Sequence, residues 1–507
     1  MAKEKVVGKG KKEIEKSSST SKGKNTKITK KISANLEFEK EIETMLAERN
    51  KLREKTKKIR EEVKKTIVWK KSCLLEFSVS NYKSIADKLV LKFNNNANDI
   101  DRVFAIMGKN ASGKSNILKA LEFFVKSIKK GGINIKDEIH FKLQEEYKDK
   151  PIKFFMSFII GENKYSYVIE MFLKDKDFES KEIDSKYIIG EEILTKNNEI
   201  LIDRTNKVIN ENKLRPNTFL SDEYKDIDRF KEKIFKEAQL ENSLLIAELR
   251  NYFNDILDIY INFIDKFIFD LKGEERIDIG KSSIDIIEEL DNNSELKKFV
   301  VESLSKLDNN VYDLMIKKTK VSREDFFDLE EHKKSEYLAG GAKINMDSGK
   351  FEHYLFDIRT LHKTNKGNDI IFKINEENSG LNVIILMLIN IFKIMDKGGI
   401  LVVDELEVSL QYYIMEYIIM FFYEKKEIVE KLGQIIFITH NPLILYSLEI
   451  ANIWIVDKEY QGTSLENLEE KIDIDDDDSN YRNKLMNDYL TGNLDAAPLL
   501  LIDRDEE

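Results

Sequence analysis

The chain has 507 residues, 41% hydrophobic and 35% charged, with a formal net charge of −10. That length holds more than one core, and the balance describes a globular chain with a heavily solvated surface. A single cysteine, Cys73, excludes an internal disulfide and a cysteine-rich metal site, and the most apolar windows, Leu381–Phe392 and Tyr412–Tyr423, are too interrupted to cross a bilayer. A reducing cytoplasm is the expected compartment, since the basic start Met1–Gly10 is followed by no apolar stretch of a secretory signal.

The first 35 residues are expected to be a disordered basic tail. Residues 1–31 carry eleven Lys against three Glu, leaving about −18 for the remainder by simple charge counting. Such a segment buries too little apolar surface to fold. It serves either as a solvated tail or as an arm for nucleic-acid phosphates. Across 36–70, Phe38, Ile42, Met45, Leu52, Ile59 and Val63 form a heptad stripe, predicting an amphipathic helix packed on its own domain or on a partner.

From 71 to 219 the pattern is strand-like, opening with Leu74–Val79 and Leu89–Phe93 on either side of Asn81-Tyr82-Lys83-Ser84. Val103–Met107 reads as a buried strand stopping at Gly108, and Ile117–Ile128 as a helix. A hairpin is predicted across Gly161-Glu162-Asn163, and another strand pair around Tyr187–Leu201. Residues 220–310 have helical spacing and are expected to form a helical insertion, an arm or lid splitting the domain. Strands resume at Val311–Lys318 and Asp369–Ile374. The last third alternates: helix 380–396, strand 400–403, helix 408–425, strand 434–438, helix 442–448 and strand 452–456. That alternation predicts a parallel sheet covered by helices, within a C-terminal half running 311–507.

The sharpest motif is Gly108-Lys109-Asn110-Ala111-Ser112-Gly113-Lys114-Ser115, a G-x-x-x-x-G-K-S that follows a strand and opens a helix. Glycines let successive N–H groups curl toward a phosphate, and the helix N-terminus adds positive potential. Lys114 is placed to bridge β- and γ-phosphates, and Ser115 to offer a hydroxyl to Mg²⁺. Downstream, four aliphatics from Ile400 to Val403 end in Asp404-Glu405. Asp404 can hold the magnesium, and Glu405 can orient and deprotonate an attacking water. Thr439-His440 ends the next predicted strand, where the imidazole could sense the γ-phosphate. A lone histidine is more often an ordinary core or surface residue.

The order P-loop, Asn378-Ser379-Gly380-Leu381, Asp404-Glu405, Thr439-His440 resembles the ABC-type ATPases related to SMC, RecF and OLD-family proteins. The opening Phe77-Ser78-Val79-Ser80-Asn81-Tyr82-Lys83-Ser84-Ile85 resembles that group's first strand. The chain is more closely similar to compact ATPases of bacterial anti-phage and abortive-infection systems, through Thr360-Leu361-His362, Glu377-Asn378-Ser379-Gly380, and Tyr489-Leu490-Thr491-Gly492 through Ala496-Ala497-Pro498.

The resemblance implies an α/β ABC-type ATPase head, with a mixed N-terminal sheet, a parallel core sheet, a helical insertion and an N-terminal helix. It implies ATP and Mg²⁺ as cofactors. It also implies a head-to-head homodimer in which Ser379 and Gly380 cap the γ-phosphate held by the other copy's P-loop. Read alone, Asn-Ser-Gly before an apolar helix is an ordinary cap. Asn-Ser-Gly-Leu departs from the commoner Ser-Ser-Gly-Thr, Gln411 replaces the usual Asp or His, and Gln144 is a weak candidate for the Q-loop, which together suit slow turnover. The expected role is to sense a phage cue or nucleic acid and control a separate effector protein. The alternatives are a DNA-binding repair ATPase and a scaffold that uses ATP only structurally. Asp473 and Asp475 lack strand context and read as a solvated acidic loop rather than a nuclease site. His140, His332, His353 and His362 lack metal-ligand spacing.

Overall fold

The computed structural model describes residues 70–93, 102–174, 185–205, 208–209, 242–250, 252–271, 284–307, 311–322, 339–344, 351–364, 366–377, 379–407, 410–459, 462–472 and 481–491. The expected basic tail, nearly all of the heptad helix, Asn378, Asp473, Asp475, His332 and the segment after Thr491 lie outside those residues.

Three sheets carry the described chain. The first is antiparallel at every pairing, in the order β2 (Leu89–Lys92), β1 (Ser72–Ser80), β4 (Ile152–Ile160), β5 (Asn163–Leu173), β6 (Tyr187–Lys196), β7 (Glu199–Thr205), β8 (Val208–Ile209). The second is the core sheet, in the order β17 (Gly462–Asn467), β16 (Ile453–Glu459), β3 (Val103–Gly108), β15 (Gln434–Ile438), β14 (Ile400–Val403), β9 (Phe267–Asp270). Its pairings are parallel except for the edge hairpin of β16 with β17. The third is antiparallel and centres on β12 (Phe351–Lys363), which pairs with β10 (Val311–Val321), β11 (Ala339–Ile344) and β13 (Asp369–Lys373).

The core strands read as unbroken apolar runs because both of their faces are covered. Phe104, Ile106, Ile400, Val402, Ile436 and Ile438 face one hydrophobic cluster, shared with the first sheet and the helix Lys114–Lys130. Their alternating neighbours Val103, Ala105, Met107, Leu401, Val403, Ile435 and Phe437 face the other, built with helices Ser294–Lys306, Ser379–Lys397 and Tyr412–Glu424. Gln434, wholly buried, joins two sheets: its amide accepts from Leu74 N (2.8 Å) and donates to Leu74 O (3.1 Å). Those two backbone groups lie beyond the last β1–β2 pair, Glu76 with Lys92, and would otherwise be buried without partners.

The expected helical insertion needs correction. Residues 242–271 include helices Leu245–Leu249 and Asn254–Asn262, but they pack into the first cluster rather than projecting as an arm. Phe267–Asp270 is a strand at the edge of the core sheet, paired with Ile400–Val403. Four residues are too short to show a period, so only the pairing with β14 reveals it. Glu192, fully buried on β6, anchors the segment by accepting the N–H groups of Leu245 and Ile246, each at 2.8 Å. Its carboxylate also receives the Tyr167 hydroxyl at 2.8 Å and lies 4.0 Å from Arg204. In the C-terminal half the predicted strands at 400–403 and 434–438 coincide with β14 and β15. The helix expected over 408–425 begins only at Tyr412, because Gln411 is extended, and that over 442–448 shortens to Ile444–Ser447.

Candidate functional site

The loop 108–113 is held by close approaches that only glycine permits. Gly108 has φ +149, and a Cβ there would lie 2.1 Å from the carbonyl oxygen of Val456 on β16. Gly113 has φ +108, and a Cβ there would lie 2.1 Å from Thr463 Oγ1 and 2.8 Å from Ser84 Oγ. Thr463, on β17, sits 2.9 Å from the Ser112 carbonyl and 2.8 Å from Ser84 Oγ, which also accepts from Asn116 (2.8 Å). The loop is therefore clamped between the edge hairpin and the β1–β2 turn. Ser112 Oγ is buried and makes no hydrogen bond, and Ala111 takes a left-handed φ of 63°.

Lys114 opens the following helix, with its ammonium donating to the carbonyls of Gly108 (2.8 Å) and Lys109 (2.5 Å). Burial pulls its pKa down to about 8, against the opposing pull of Glu405, Asp404 and Glu407. The next residue, Ser115, places its hydroxyl 3.3 Å from Asp404 Oδ1. Asp404 is buried at the end of β14, and its N–H donates to Asp270 O on the neighbouring β9 (3.0 Å).

Glu405 turns the chain out of β14 with φ +51, a conformation that a non-glycine residue holds at a cost. The N–H of Leu406 then returns to Ile438 O at the end of β15 (3.0 Å). His440 follows on that side. Its N–H donates to Glu407 Oε1 (2.7 Å), and its carbonyl accepts the hydroxyl of Tyr489 (3.4 Å). Burial, and next the Lys114 ammonium, lower the imidazole pKa, while Glu407, Glu405 and Asp404 oppose them. The ring therefore favours its neutral form more than a free imidazole does.

Lys114, Ser115, Asp404, Glu405 and His440 thus gather at the C-terminal ends of β3, β14 and β15, as a doubly covered parallel sheet arranges a site. Ser379 and Gly380 start a helix that follows β13, in the part of the chain that builds the third sheet. Just before it, Glu377 Oε1 accepts from the Thr360 hydroxyl and lies 2.7 Å from His362 Nε2, which joins the two upstream motifs into one cluster. Gln411 stands at the N-terminal boundary of the helix Tyr412–Glu424 with no side-chain capping bond, and Gln144 precedes a short 3-10 turn at Glu145–Lys148. Sequence reading passed over Thr463, Asp270 and Glu407, and took Tyr489 only as a residue of the Tyr489–Pro498 motif, with no role of its own. Glu407, two residues beyond the acidic pair, was visible as a third carboxylate, and the others depend on tertiary pairing.

Residues 103–445, about two thirds of the chain, match the family described as "AAA domain, putative AbiEii toxin, Type IV TA system". The chain belongs to this family. It carries a P-loop AAA-type ATPase domain, and the matched span runs from the first residue of β3 past His440. No curated protein matches the chain. Among solved structures it is similar to the SMC head domain from Thermotoga maritima, at 15% identity and TM-score 0.35 over 79% of this chain and 99% of that one. The SMC head bound to the C-terminal winged-helix domain of ScpA matches at 14% identity and TM-score 0.38, again over 79% and 99%. The recombination mediator RecF with ATP matches at 13% and 0.32 over the same shares. Among the described residues, no helix is long and apolar enough to cross a membrane.

Proposed function

We propose that the chain binds ATP at Gly108–Ser115 and hydrolyses it, using the closed or open state of the site to control a separate effector in anti-phage defence. The observation that carries the hydrolytic reading is the convergence of Lys114, Ser115, Asp404, Glu405 and His440 on one sheet end, with Ser115 Oγ 3.3 Å from Asp404. The residues fit the nucleotide. The loop's curl depends on glycine at 108 and 113, where a Cβ would strike Val456 O and Thr463 Oγ1, and it holds an orphaned Ser112 hydroxyl. They also fit Mg²⁺, which favours hard oxygen donors. Ser115 and Asp404 would hold it, and when bound it would neutralise phosphate charge. Among the described residues no group of three or more His, Cys, Asp or Glu is placed to hold a metal, so the remaining ligands would be phosphate oxygens and water.

In this reading the Lys114 ammonium exchanges its two loop carbonyls for phosphate oxygens, and an anion beside it favours the charged form. Glu405, projected by its left-handed turn, orients the attacking water and accepts its proton. The neutral His440 offers an N–H to the γ-phosphate. Ser379 and Gly380 serve a second copy's nucleotide across a homodimer. The family description supports the defence setting. A DNA-dependent ATPase is the second reading, favoured by Lys83, Lys119, Lys126 and Lys130 in one groove, where Glu122, paired with Lys126 at 2.5 Å, and Glu248 offset part of that charge.

The deciding experiment measures ATP affinity, phosphate release and size by gel filtration. Lys114→Ala is expected to abolish binding. Glu405→Gln is expected to keep binding, lose turnover by about 10²-fold or more, and run as a dimer with ATP. Wild-type affinity in Lys114→Ala would sink the reading. Stimulation of turnover by DNA would favour the second reading, and a copurifying enzyme the first.

A further inference from the structure

We infer that Glu407 and Tyr489 are positioning residues that clamp the His440 peptide from both sides, so that the C-terminal helix Tyr481–Thr491 forms part of the hydrolytic apparatus. The inference rests on the ATPase reading above and concerns how its histidine is held. One side of the clamp is the His440 N–H donating to Glu407 Oε1 at 2.7 Å, and the other is Tyr489 Oη donating to His440 O at 3.4 Å. The two clamping residues come from different places. Glu407 lies in the turn after β14, close behind Asp404 and Glu405, and Tyr489 comes from a helix near the end of the chain. That helix is itself docked on the segment after His440. Arg482 donates to the carbonyls of Leu445 (2.7 Å) and Leu448 (3.1 Å), Tyr446 donates to Asn483 (2.6 Å), and Leu485 and Tyr489 are buried.

The choice of a carboxylate is informative. An N–H at a strand end needs only a neutral acceptor, yet here it receives a carboxylate whose second oxygen, Oε2, is buried without any hydrogen bond. What a carboxylate adds is negative potential, and it falls on the Lys114 ammonium, the His440 imidazole and the Tyr489 hydroxyl. Glu407 therefore does two things at one point, fixing the peptide from which the imidazole projects and setting the charge around it. Because a histidine's reach is decided by its backbone, loosening either bond should cost turnover more than nucleotide affinity.

The test uses the full chain with Glu407→Ala, Glu407→Gln and Tyr489→Phe, measuring ATP affinity and kcat separately. The chain is also labelled with ¹⁵N-histidine, and the His440 amide, one of five, is assigned by its loss in His440→Asn. Glu407→Ala is expected to lower kcat about tenfold or more with affinity kept within about threefold. Its His440 amide should move upfield as the bond to the carboxylate is lost. Glu407→Gln keeps an acceptor without the charge, so it should hold the amide near its wild-type position and recover part of kcat. Tyr489→Phe should lower kcat with the amide bond intact. If kcat stays within twofold in Glu407→Ala and Tyr489→Phe, or if affinity falls in step with it, the positioning role is overturned. A wild-type chain that binds no ATP would sink the ATPase reading instead. The amide signal would then decide the clamp alone, an unmoved resonance in Glu407→Ala refuting it.

Discussion

Replacing Gly113 by alanine puts a methyl carbon where Thr463 Oγ1 now sits, at 2.1 Å, and 2.8 Å from Ser84 Oγ, on a backbone with φ +108. The conformation alone costs about 1–3 kcal/mol for a residue with a side chain. Moving Thr463 aside also breaks its bond to the Ser112 carbonyl, which adds about 0.5–1.5 kcal/mol. A total of about 2–4 kcal/mol is therefore expected. Thr463→Ala should cost about 1–2 kcal/mol by itself, because it leaves the Ser112 carbonyl short of a partner. In the double variant the worst contact is gone while the backbone strain remains, so its cost should fall below the sum by about 1 kcal/mol or more. Guanidinium unfolding of the four proteins gives this cycle directly, and ATP titration shows whether the nucleotide loop tracks it. If the costs add within about 0.5 kcal/mol, the two residues do not meet and the clamp described for this loop is wrong.

Three further outcomes follow from the geometry. Glu192→Ala strips partners from Arg204, Tyr167 and two backbone N–H groups in a wholly buried site, and should destabilise the chain by about 3–5 kcal/mol in denaturant unfolding; a loss under about 1 kcal/mol would show that the network is dispensable. The folded-state pKa of His440 lies below its ordinary value of 6.5, so the unfolded chain takes up its proton first. This residue's share of stability is thus present above pH 6.5 and lost as pH falls from there through the folded pKa, and His440→Asn should show a shallower drop in unfolding midpoint between pH 7.5 and 5.5 than wild type; equal slopes would contradict the assigned environment. Cys73 is wholly buried, with its thiol pushed up to about 12, so a thiol reagent at pH 8 should react slowly with native chain and at once with unfolded chain, whereas fast native labelling would refute the packing of β1.

The elements most legible in the sequence were those with both faces buried. Ile400–Val403 and Gln434–Ile438 are short apolar runs between turn residues, and each became a strand with the bounds expected. The P-loop was legible for a different reason, since its glycines answer to contacts that no other residue type fits. Phe267–Asp270 was missed because a four-residue strand inside an apolar, helix-spaced stretch has no period of its own. Phe351–Lys363 was missed because it mixes charges among its apolar positions, as a half-exposed strand does, although it centres a whole sheet. Thr463 could not be found locally at all, and Tyr489 stood out only as a motif residue whose contact could not be read. Each matters through one hydroxyl that reaches a loop hundreds of positions earlier or a carbonyl across a helix interface.

The pairing of β3 has a consequence for how the protein is made. Its neighbours are β15 and β16, so Val103 waits for Ile435 and Ala105 waits for Ile453. On a ribosome, the strand that ends in the nucleotide loop stays without either flank until more than three hundred further residues, through Ile435 and Ile453, have been synthesised. Long-range parallel pairing of this kind is slow and leaves apolar strands open to misassembly. A nascent or truncated chain lacking β15 and β16 would thus present the whole P-loop sequence without the strands that flank it, and a ligand of that loop could stabilise only molecules whose synthesis had passed Ile453.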